Sequence, residues 1–386
     1  MRTRCRSMNA YNADYLRSYR HRLVVPDLPT PAEYLPLLEE MQENGWYSNF
    51  GPLVRRLESR LLATYGAAGE TCVTCCNGTA GLSAALLATG RTDQVLLPAF
   101  TFPASLAAVR AAGMTTIVAD VDAKTWTLAG NLLDRALVET GARVVMLVAP
   151  FGIRSNWEAE LVICREHGAA VVIDNASGLG GPRPVKGFSD EVFEVFSMHA
   201  TKPFGVGEGG VIFAHRKHDA GLRSALNFAL NSYAKPGGLA RGFNGKMSEF
   251  HAAIGIVQLD RIGEIVSRRQ AFADIYRERL AHYPEIVCPQ DMNCAPWQVF
   301  PVLLPSVSAA EGLIEIAAAA GVEIRRYYRP SLSRWPETRR FEACPVAEDI
   351  ADRMCALPVR GVTACFETNQ VADLVLNALD RALTRK

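Results

Sequence analysis

Short apolar runs alternate with amphipathic or alanine-rich segments through the middle of the chain. Seven runs have the length of strands: Cys72–Cys75, Gln94–Pro98, Thr116–Val121, Val144–Pro150, Ala170–Asp174, Val192–Ser197 and Gly210–Ala214. Four segments between the earlier runs are typical of helices: Thr79–Thr89, Ala104–Ala112, Leu132–Thr140 and Trp157–His167. Strands that are apolar on both faces and separated by helices predict an α/β fold with a mostly parallel seven-stranded sheet, covered on both sides.

The C-terminal third has a different pattern. A helical periodicity runs from about Ser248 to Leu280, and strands are expected near Trp297–Leu304 and Glu323–Tyr328. A helix of this length commonly joins two domains. The pattern therefore predicts an N-terminal arm at 1–45, a large domain at 46–255, and a linking helix with a smaller α+β C-terminal domain at 256–386.

Composition and charge exclude several classes of protein. The chain has 386 residues, of which 49% are hydrophobic and 21% charged, an ordinary globular balance. Its 41 Lys and Arg nearly cancel 40 Asp and Glu, so the net charge of +1 attracts neither nucleic acid nor an anionic membrane. No run has the 18 apolar residues of a membrane span, and the basic N-terminus lacks the apolar core of a secretion signal. We expect a cytoplasmic protein with reduced cysteines and no metal site.

The segment Asn77-Gly-Thr-Ala-Gly-Leu82 follows a predicted strand and opens a predicted helix. Backbone N–H groups at a helix N-terminus form a ready site for an anion, and the hydroxyl of Thr79 adds a donor. The same pattern also fits a capped helix start without any ligand.

Two further residues follow predicted strands. Asp174 ends the apolar run that begins at Ala170, at the sheet edge where α/β proteins bind ligands. Lys202 follows another apolar strand and precedes a glycine-rich loop, which suits a partly buried amine that acts as nucleophile. Each residue alone also fits a plain structural role. The pattern Gly205-x-Gly207-x-x-Gly210 does not indicate a dinucleotide site, because a strand follows it instead of a helix.

Together, these three features match what pyridoxal phosphate (PLP) requires. Its phosphate binds at a helix N-terminus, its pyridinium nitrogen needs a carboxylate, and its aldehyde needs a lysine. The segment Pro98-Ala-Phe-Thr-Phe102-Pro-Ala-Ser offers an aromatic side chain to stack on the ring.

With these motifs in their order and spacing, the chain resembles the DegT/DnrJ/StrS sugar aminotransferases, which have PLP fold type I, the fold of aspartate aminotransferase. The resemblance extends from about Gly45 to the C-terminus. It rests on the motifs already quoted and on Ser48-Asn-Phe-Gly-Pro-Leu, Ser197-Met-His-Ala-Thr-Lys, Gly207-Glu-Gly-Gly, Asn244-Gly-Lys-Met-Ser-Glu and Ala356-Leu-Pro-Val.

The resemblance assigns roles to individual residues. Lys202 takes the position of the lysine that binds the cofactor covalently, and Asp174 that of the partner of the pyridine nitrogen. Phe102 takes the stacking position. The phosphate contacts fall on Gly78, Thr79 and Ser197, with Asn244 reaching the phosphate from the other subunit of a homodimer with shared active sites.

The chain departs from the family at Ser177, near the cofactor's 3-hydroxyl, where Gln or His is usual. A serine is shorter, so this contact is either lost or made through water. The lysine itself is kept, which favours amino transfer over the deoxygenation carried out by a branch that has His at that position.

The resemblance implies an aminotransferase that acts on a nucleotide-linked keto-deoxysugar, on C4 of a dTDP-4-keto-6-deoxyhexose, with glutamate as amino donor. The basic segment around Arg325 and Arg329 offers a grip for the diphosphate, and equally fits a strand with a solvated face. The alternatives are an aminotransferase for a 3-keto sugar or a keto-cyclitol, and a regulatory protein that keeps the fold without turnover. A nicotinamide dehydrogenase is disfavoured by the glycine pattern.

Overall fold

The structure is a computed structural model that describes residues 19–92, 94–128, 130–153, 156–183, 190–230, 241–290, 292, 295–360 and 365–385. Its main sheet is formed by β1 (Glu70–Cys75), β2 (Gln94–Pro98), β3 (Thr115–Ala119), β4 (Val144–Val148), β5 (Ala170–Asp174), β6 (Val192–Ser197), β7 (Gly210–His215) and the two-residue β9 (Arg339–Arg340). The strand order is β1-β7-β6-β5-β4-β2-β3-β9.

The pairing confirms the mostly parallel sheet. Strands β2 to β6 and β9 pair in parallel, whereas β7 runs antiparallel to both β6 and β1. The sheet has one strand more than expected, because β9 is short and exposed and leaves no apolar run in the sequence. The parallel neighbours β5 and β6 place the residues that follow Asp174 and Ser197 at the same edge.

The helices of this part of the chain are α1 (Pro31–Asn44), α2 (Pro52–Tyr65), α3 (Gly78–Ala88), α4 (Pro103–Ala111), α5 (Gly130–Thr140), α6 (Glu158–Glu166) and α7 (Asp219–Ala225). The four helices predicted between the strands, α3 to α6, lie close to their predicted limits. Gly90, Gly113 and Gly168 follow α3, α4 and α6 with φ of +69°, +70° and +61°, as left-handed C-terminal caps require.

The helix α8 (Glu249–Leu280) is continuous over 32 residues and leads to the smaller C-terminal domain. Its first residue is buried, and the Glu249 carboxylate accepts bonds from the N–H groups of Leu53 (2.7 Å) and Val54 (3.1 Å) in α2. Further along α8, the buried guanidinium of Arg269 donates to the Trp297 carbonyl at 2.9 Å. The helix is thus tied to the large domain at its start and to the small domain in its second half.

The small domain has a two-stranded antiparallel sheet of β8 (Val299–Leu303) and β10 (Met354–Pro358), packed with α9 (Val307–Ala319), α10 (Pro345–Arg353) and α11 (Cys365–Leu383). The expectation of a strand at Glu323–Tyr328 is wrong. Only Arg325 makes a bridge, to Ala356. The chain then turns away from β10, because the Tyr328 ring stacks on Phe151 of the large domain, with centroids 5.3 Å apart.

The N-terminal arm is described from residue 19 onward. His21 donates its N–H to the Gly321 carbonyl, and Leu23 donates to the Glu323 carboxylate, so this part of the arm contacts the small domain. Within the described ranges, no helix is long and apolar enough to cross a membrane, and no three metal-binding side chains cluster. The exact domain limits remain a prediction.

Candidate active site

Asp174 lies at the carboxyl end of β5 and is almost fully buried. Burial raises the pKa of its carboxyl group, while a hydrogen bond from Ser105 and the charge of Lys202 act in the opposite direction. The Ser105 hydroxyl in α4 is 2.6 Å from Oδ2, and the Ala176 N–H is 3.2 Å from Oδ1. The hydroxyl of Thr101 supports Ser105 at 2.7 Å. These donors hold a buried acid in one orientation at the sheet edge.

Lys202 follows β6 by a tight turn in which its N–H donates to the His199 carbonyl. Burial of the amine lowers the pKa of Lys202 to about 8, and the nearby Asp174 charge acts against this shift. The amine Nζ donates to Ser177 Oγ at 2.8 Å and to Gln298 Oε1 at 3.0 Å. A lysine with this pKa is present in both protonation states near neutral pH, as a nucleophile and proton carrier requires.

Gln298 is a site residue that sequence reasoning missed. It precedes β8 in the small domain, 96 positions after Lys202, and has no local motif. Its Oε1 also accepts from the Ser177 hydroxyl at 2.7 Å. Only the packing of the two domains brings these three side chains together.

The predicted phosphate residues meet at the start of α3. The Asn77 side chain caps this helix by accepting from the Ala80 N–H at 2.8 Å. A Cβ on Gly78 would lie 2.9 Å from Cβ of Ser197, so the glycine is needed for the contact between helix start and strand end. The N–H groups of Gly78 and Thr79 lack acceptors within the helix by its geometry. Together with the hydroxyls of Thr79 and Ser197, they form a donor set suited to a phosphate.

Phe102 stands at the start of α4 with 49% of its surface exposed. Its ring is 6.0 Å from that of Tyr328, edge to face, and Tyr328 in turn stacks on Phe151. The stacking residue predicted from sequence is thus part of an aromatic wall. Tyr328 and Phe151 were not predicted as site residues, because neither lies in one of the motifs that carry the resemblance.

Asn244 is exposed, and its described contacts are with Asn227 and Lys246. Its backbone forms an isolated antiparallel β-bridge with that of Asn227, and its side-chain Oδ1 accepts a hydrogen bond from Lys246 Nζ at 2.8 Å. Arg325 and Arg329 also contact carboxylates of the chain: Arg325 Nε is 2.6 Å from Glu323, and Arg329 Nε is 3.0 Å from Asp352. The structure thus hydrogen-bonds Ser177 to Lys202 and places the charge of Asp174 near the amine, whereas the described contacts of Asn244, Arg325 and Arg329 are with other residues.

The residues present fit PLP. The helix start with its hydroxyls suits a phosphate, the buried Asp174 suits a protonated pyridine nitrogen, and the enclosed amine of Lys202 suits an aldehyde. All three lie at one edge of the sheet, which is the edge where open α/β folds bind ligands.

Comparisons with known proteins agree with this fit. The profile of the DegT/DnrJ/EryC1/StrS aminotransferase family matches residues 31–376. The dTDP-4-amino-4,6-dideoxy-D-glucose transaminase of Escherichia coli is 26% identical over 86% of this chain and 92% of its own. The GDP-perosamine synthase of Escherichia coli O157:H7 is 26% identical, with 83% and 88% covered.

Among solved structures, that of DesI in the presence of its TDP-sugar product superposes with a TM-score of 0.83 and 30% identity, covering 94% of each chain. The matched segment spans both domains and every site residue described above. The predicted fold class, enzyme class and PLP cofactor are confirmed. The chain belongs to the DegT/DnrJ/EryC1/StrS aminotransferase family, whose members use pyridoxal phosphate.

Proposed function

We propose that this enzyme transfers an amino group from glutamate to C4 of a dTDP-linked 4-keto-6-deoxyhexose. The observation that carries the aminotransferase chemistry is the enclosed Lys202 amine, with a pKa near 8, beside the buried carboxylate of Asp174. The sugar is inferred from relatives: the E. coli transaminase named for a dTDP-4-amino sugar and DesI with its TDP-sugar product support it.

In this reaction, PLP supplies an electron-accepting ring that stabilises negative charge at the carbon from which a proton is removed. Asp174 holds its charge against the pyridine nitrogen and keeps that nitrogen protonated. The amine of Lys202 would carry the proton between the α-carbon of the amino donor and the C4′ carbon of the cofactor. Gly78, Thr79 and Ser197 would bind the phosphate, and Phe102 would stack on the ring.

A homodimer with shared active sites is part of the proposal. Tyr47 and Phe250 are 46% and 48% exposed and stack on each other, with centroids 6.1 Å apart. Phe228 is also exposed and lies under the Lys246 amine that holds Asn244. Exposed aromatic side chains of this kind are typical of a surface that a second subunit covers. In this proposal, Asn244 contributes to the active site of the partner subunit.

The diphosphate contacts of Arg325 and Arg329 remain a prediction. Both guanidinium groups already pair with carboxylates, and Asp352 also pairs with Arg334 at 2.8 Å. A diphosphate would therefore have to compete with these carboxylates. The cytoplasmic location likewise remains a prediction.

The test is an amino-transfer assay with glutamate and 4-keto or 3-keto sugars, each linked to dTDP, UDP or GDP. We expect the dTDP-4-keto-6-deoxyhexose to give the highest kcat/KM. Preference for a 3-keto sugar would refute the C4 assignment, and faster turnover of a free keto-cyclitol would refute the nucleotide-sugar class.

The role of Lys202 is tested separately, by borohydride reduction of the cofactor-loaded enzyme followed by peptide mapping. We expect the pyridoxyl group on Lys202 and loss of turnover in Lys202→Ala. Lys217→Ala, which removes a surface lysine paired with Glu191, is the matched control and should retain activity. An adduct on any lysine other than 202 would refute the assignment.

A further inference from the structure

The amine of Lys202 is held by two neutral oxygens that come from different parts of the fold. Ser177 Oγ belongs to the loop after β5, and Gln298 Oε1 belongs to the segment before β8 in the small domain. Because the Ser177 hydroxyl donates to the same Oε1 at 2.7 Å, its oxygen is left to accept from the lysine. The three groups form a closed triangle in which Gln298 accepts twice.

The other end of the Gln298 amide is also held. Its Nε2 is 3.4 Å from the Thr201 hydroxyl, and that hydroxyl is 2.8 Å from Nδ1 of His199. Thr201 lies in the turn that carries Lys202. Its contact with Nε2 therefore orients the amide oxygen of Gln298 toward the lysine amine. This orientation matters, because an amide oxygen only accepts hydrogen bonds and an amide nitrogen only donates them.

We propose that Gln298 is a positioning residue for Lys202, which fixes the amine against Ser177 and favours its protonated form. The inference rests on the role proposed for Lys202, but not on the identity of the sugar. Asp174 is the charged group that acts on the amine, and its charge also acts on the hydroxyl of Tyr328. His199 contacts Thr201, one hydrogen bond from Gln298. Among these groups, Gln298 is the one contributed by the small domain that contacts the amine directly.

An acceptor placed 3.0 Å from an ammonium group stabilises the charged form, so replacing it has a predictable sign. Gln298→Met keeps the length of the side chain and removes the acceptor, which should lower the pH at which Lys202 loses its proton by about one unit. Gln298→Glu places a negative charge at the same distance and should raise that pH by about one unit or more. A purely structural role predicts no such opposite shifts.

The experiment measures the reactivity of Lys202 in the full-length protein after removal of the cofactor. The protein is labelled with a trace of acetic anhydride between pH 6 and 10, and the labelled fraction at Lys202 is read by mass spectrometry. Gln290→Met and Gln290→Glu, at an exposed glutamine in the segment that leads to the small domain, are matched controls and should keep the wild-type midpoint near pH 8.

Midpoints that shift in opposite directions in the two Gln298 variants support the proposal. Unchanged midpoints, or shifts in one direction only, overturn it. If Gln298→Met does not fold, Gln298→Asn replaces it, because its amide is one methylene too short to keep the contact and should lower the midpoint likewise. The labelling needs neither cofactor nor substrate, so its outcome is independent of the assays that test the proposed function.

Discussion

At the scale of single residues, the chemistry of the site depends on the buried carboxyl group of Asp174 and the amine of the half-buried Lys202, whose pKa values are shifted in opposite directions. Burial raises the pKa of Asp174 and lowers that of Lys202, and each charge partly offsets the shift of the other. Neither shift would arise on the surface. Neutral hydrogen-bonding groups therefore help to set the two protonation states. Ser105 donates to the carboxyl group of Asp174, and Gln298 accepts from the amine of Lys202.

Ser105 provides a test of this balance. Its hydroxyl donates to Asp174 and lowers the pKa of that carboxyl, so Ser105→Ala should raise the pKa further above the ordinary value of an aspartate. The ionised carboxylate is the active form. The acid limb of the kcat/KM profile should consequently move to higher pH, with a loss of roughly tenfold at pH 6 that shrinks as the pH rises.

The control is Ser83→Ala, which removes another buried serine hydroxyl whose acceptors are backbone carbonyls of Thr79 and Ala108. This variant should keep the wild-type pH profile. A loss in Ser105→Ala that is equal at every pH would contradict the prediction, because it would show that Ser105 acts on something other than the ionisation of Asp174.

Much of the site was predictable at the residue scale because it depends on local order. Asp174 ends an apolar strand, and Lys202 follows the neighbouring one. Since the carboxyl ends of parallel strands meet at one edge, their proximity followed from the alternation of strands and helices. Gln298 was not predictable, because its contact depends on how two domains pack. The strand predicted at Glu323–Tyr328 was wrong for the same reason, because Tyr328 packs against the large domain and this packing cannot be read from local sequence.

At the scale of secondary-structure elements, the buried Glu249 joins the N-termini of α8 and α2. Glu249→Ala would leave the N–H groups of Leu53 and Val54 without their acceptor in a buried position. We expect a loss of about 2–3 kcal/mol in the free energy of unfolding, seen as a lower midpoint in urea at fixed protein concentration. Glu249→Gln, which keeps one acceptor oxygen, should lose less.

Glu264→Ala on the same helix is the matched control, because Glu264 is exposed and, among the residues that the structure describes, pairs with Arg268 one turn away. It should change stability by less than about 0.5 kcal/mol. Equal effects of the two alanine variants would show that the cap between α8 and α2 does not contribute to stability.

At the scale of the whole molecule, the proposed dimer makes a prediction about mixed subunits. Lys202→Ala lacks the reactive amine, and Asn244→Asp places a carboxylate against the phosphate. If Asn244 acts in the partner's site, a mixed dimer of the two inactive variants contains one intact site. Random exchange of equal amounts should then restore about a quarter of wild-type activity.

Subunit exchange is verified by mass spectrometry of differently tagged chains. Absence of recovery in exchanged dimers would place the action of Asn244 within its own chain. The control mixture combines Lys202→Ala with Lys202→Met, in which both sites of every dimer lack the amine. It should stay inactive whatever the role of Asn244.

The helix α8 rigidly connects the contact at Glu249 with the contact at Arg269. From Glu249, fixed to α2, to Arg269, bonded to the Trp297 carbonyl, the axis is about 30 Å long. A tilt of about two degrees at the first point moves the second by about 1 Å, enough to break the 3.0 Å bond between Gln298 and Lys202. The geometry around Lys202 therefore depends on how tightly the hydrogen bonds of Glu249 fix the angle between α2 and α8. Substitutions far from the cofactor can alter the chemistry by loosening these hydrogen bonds alone.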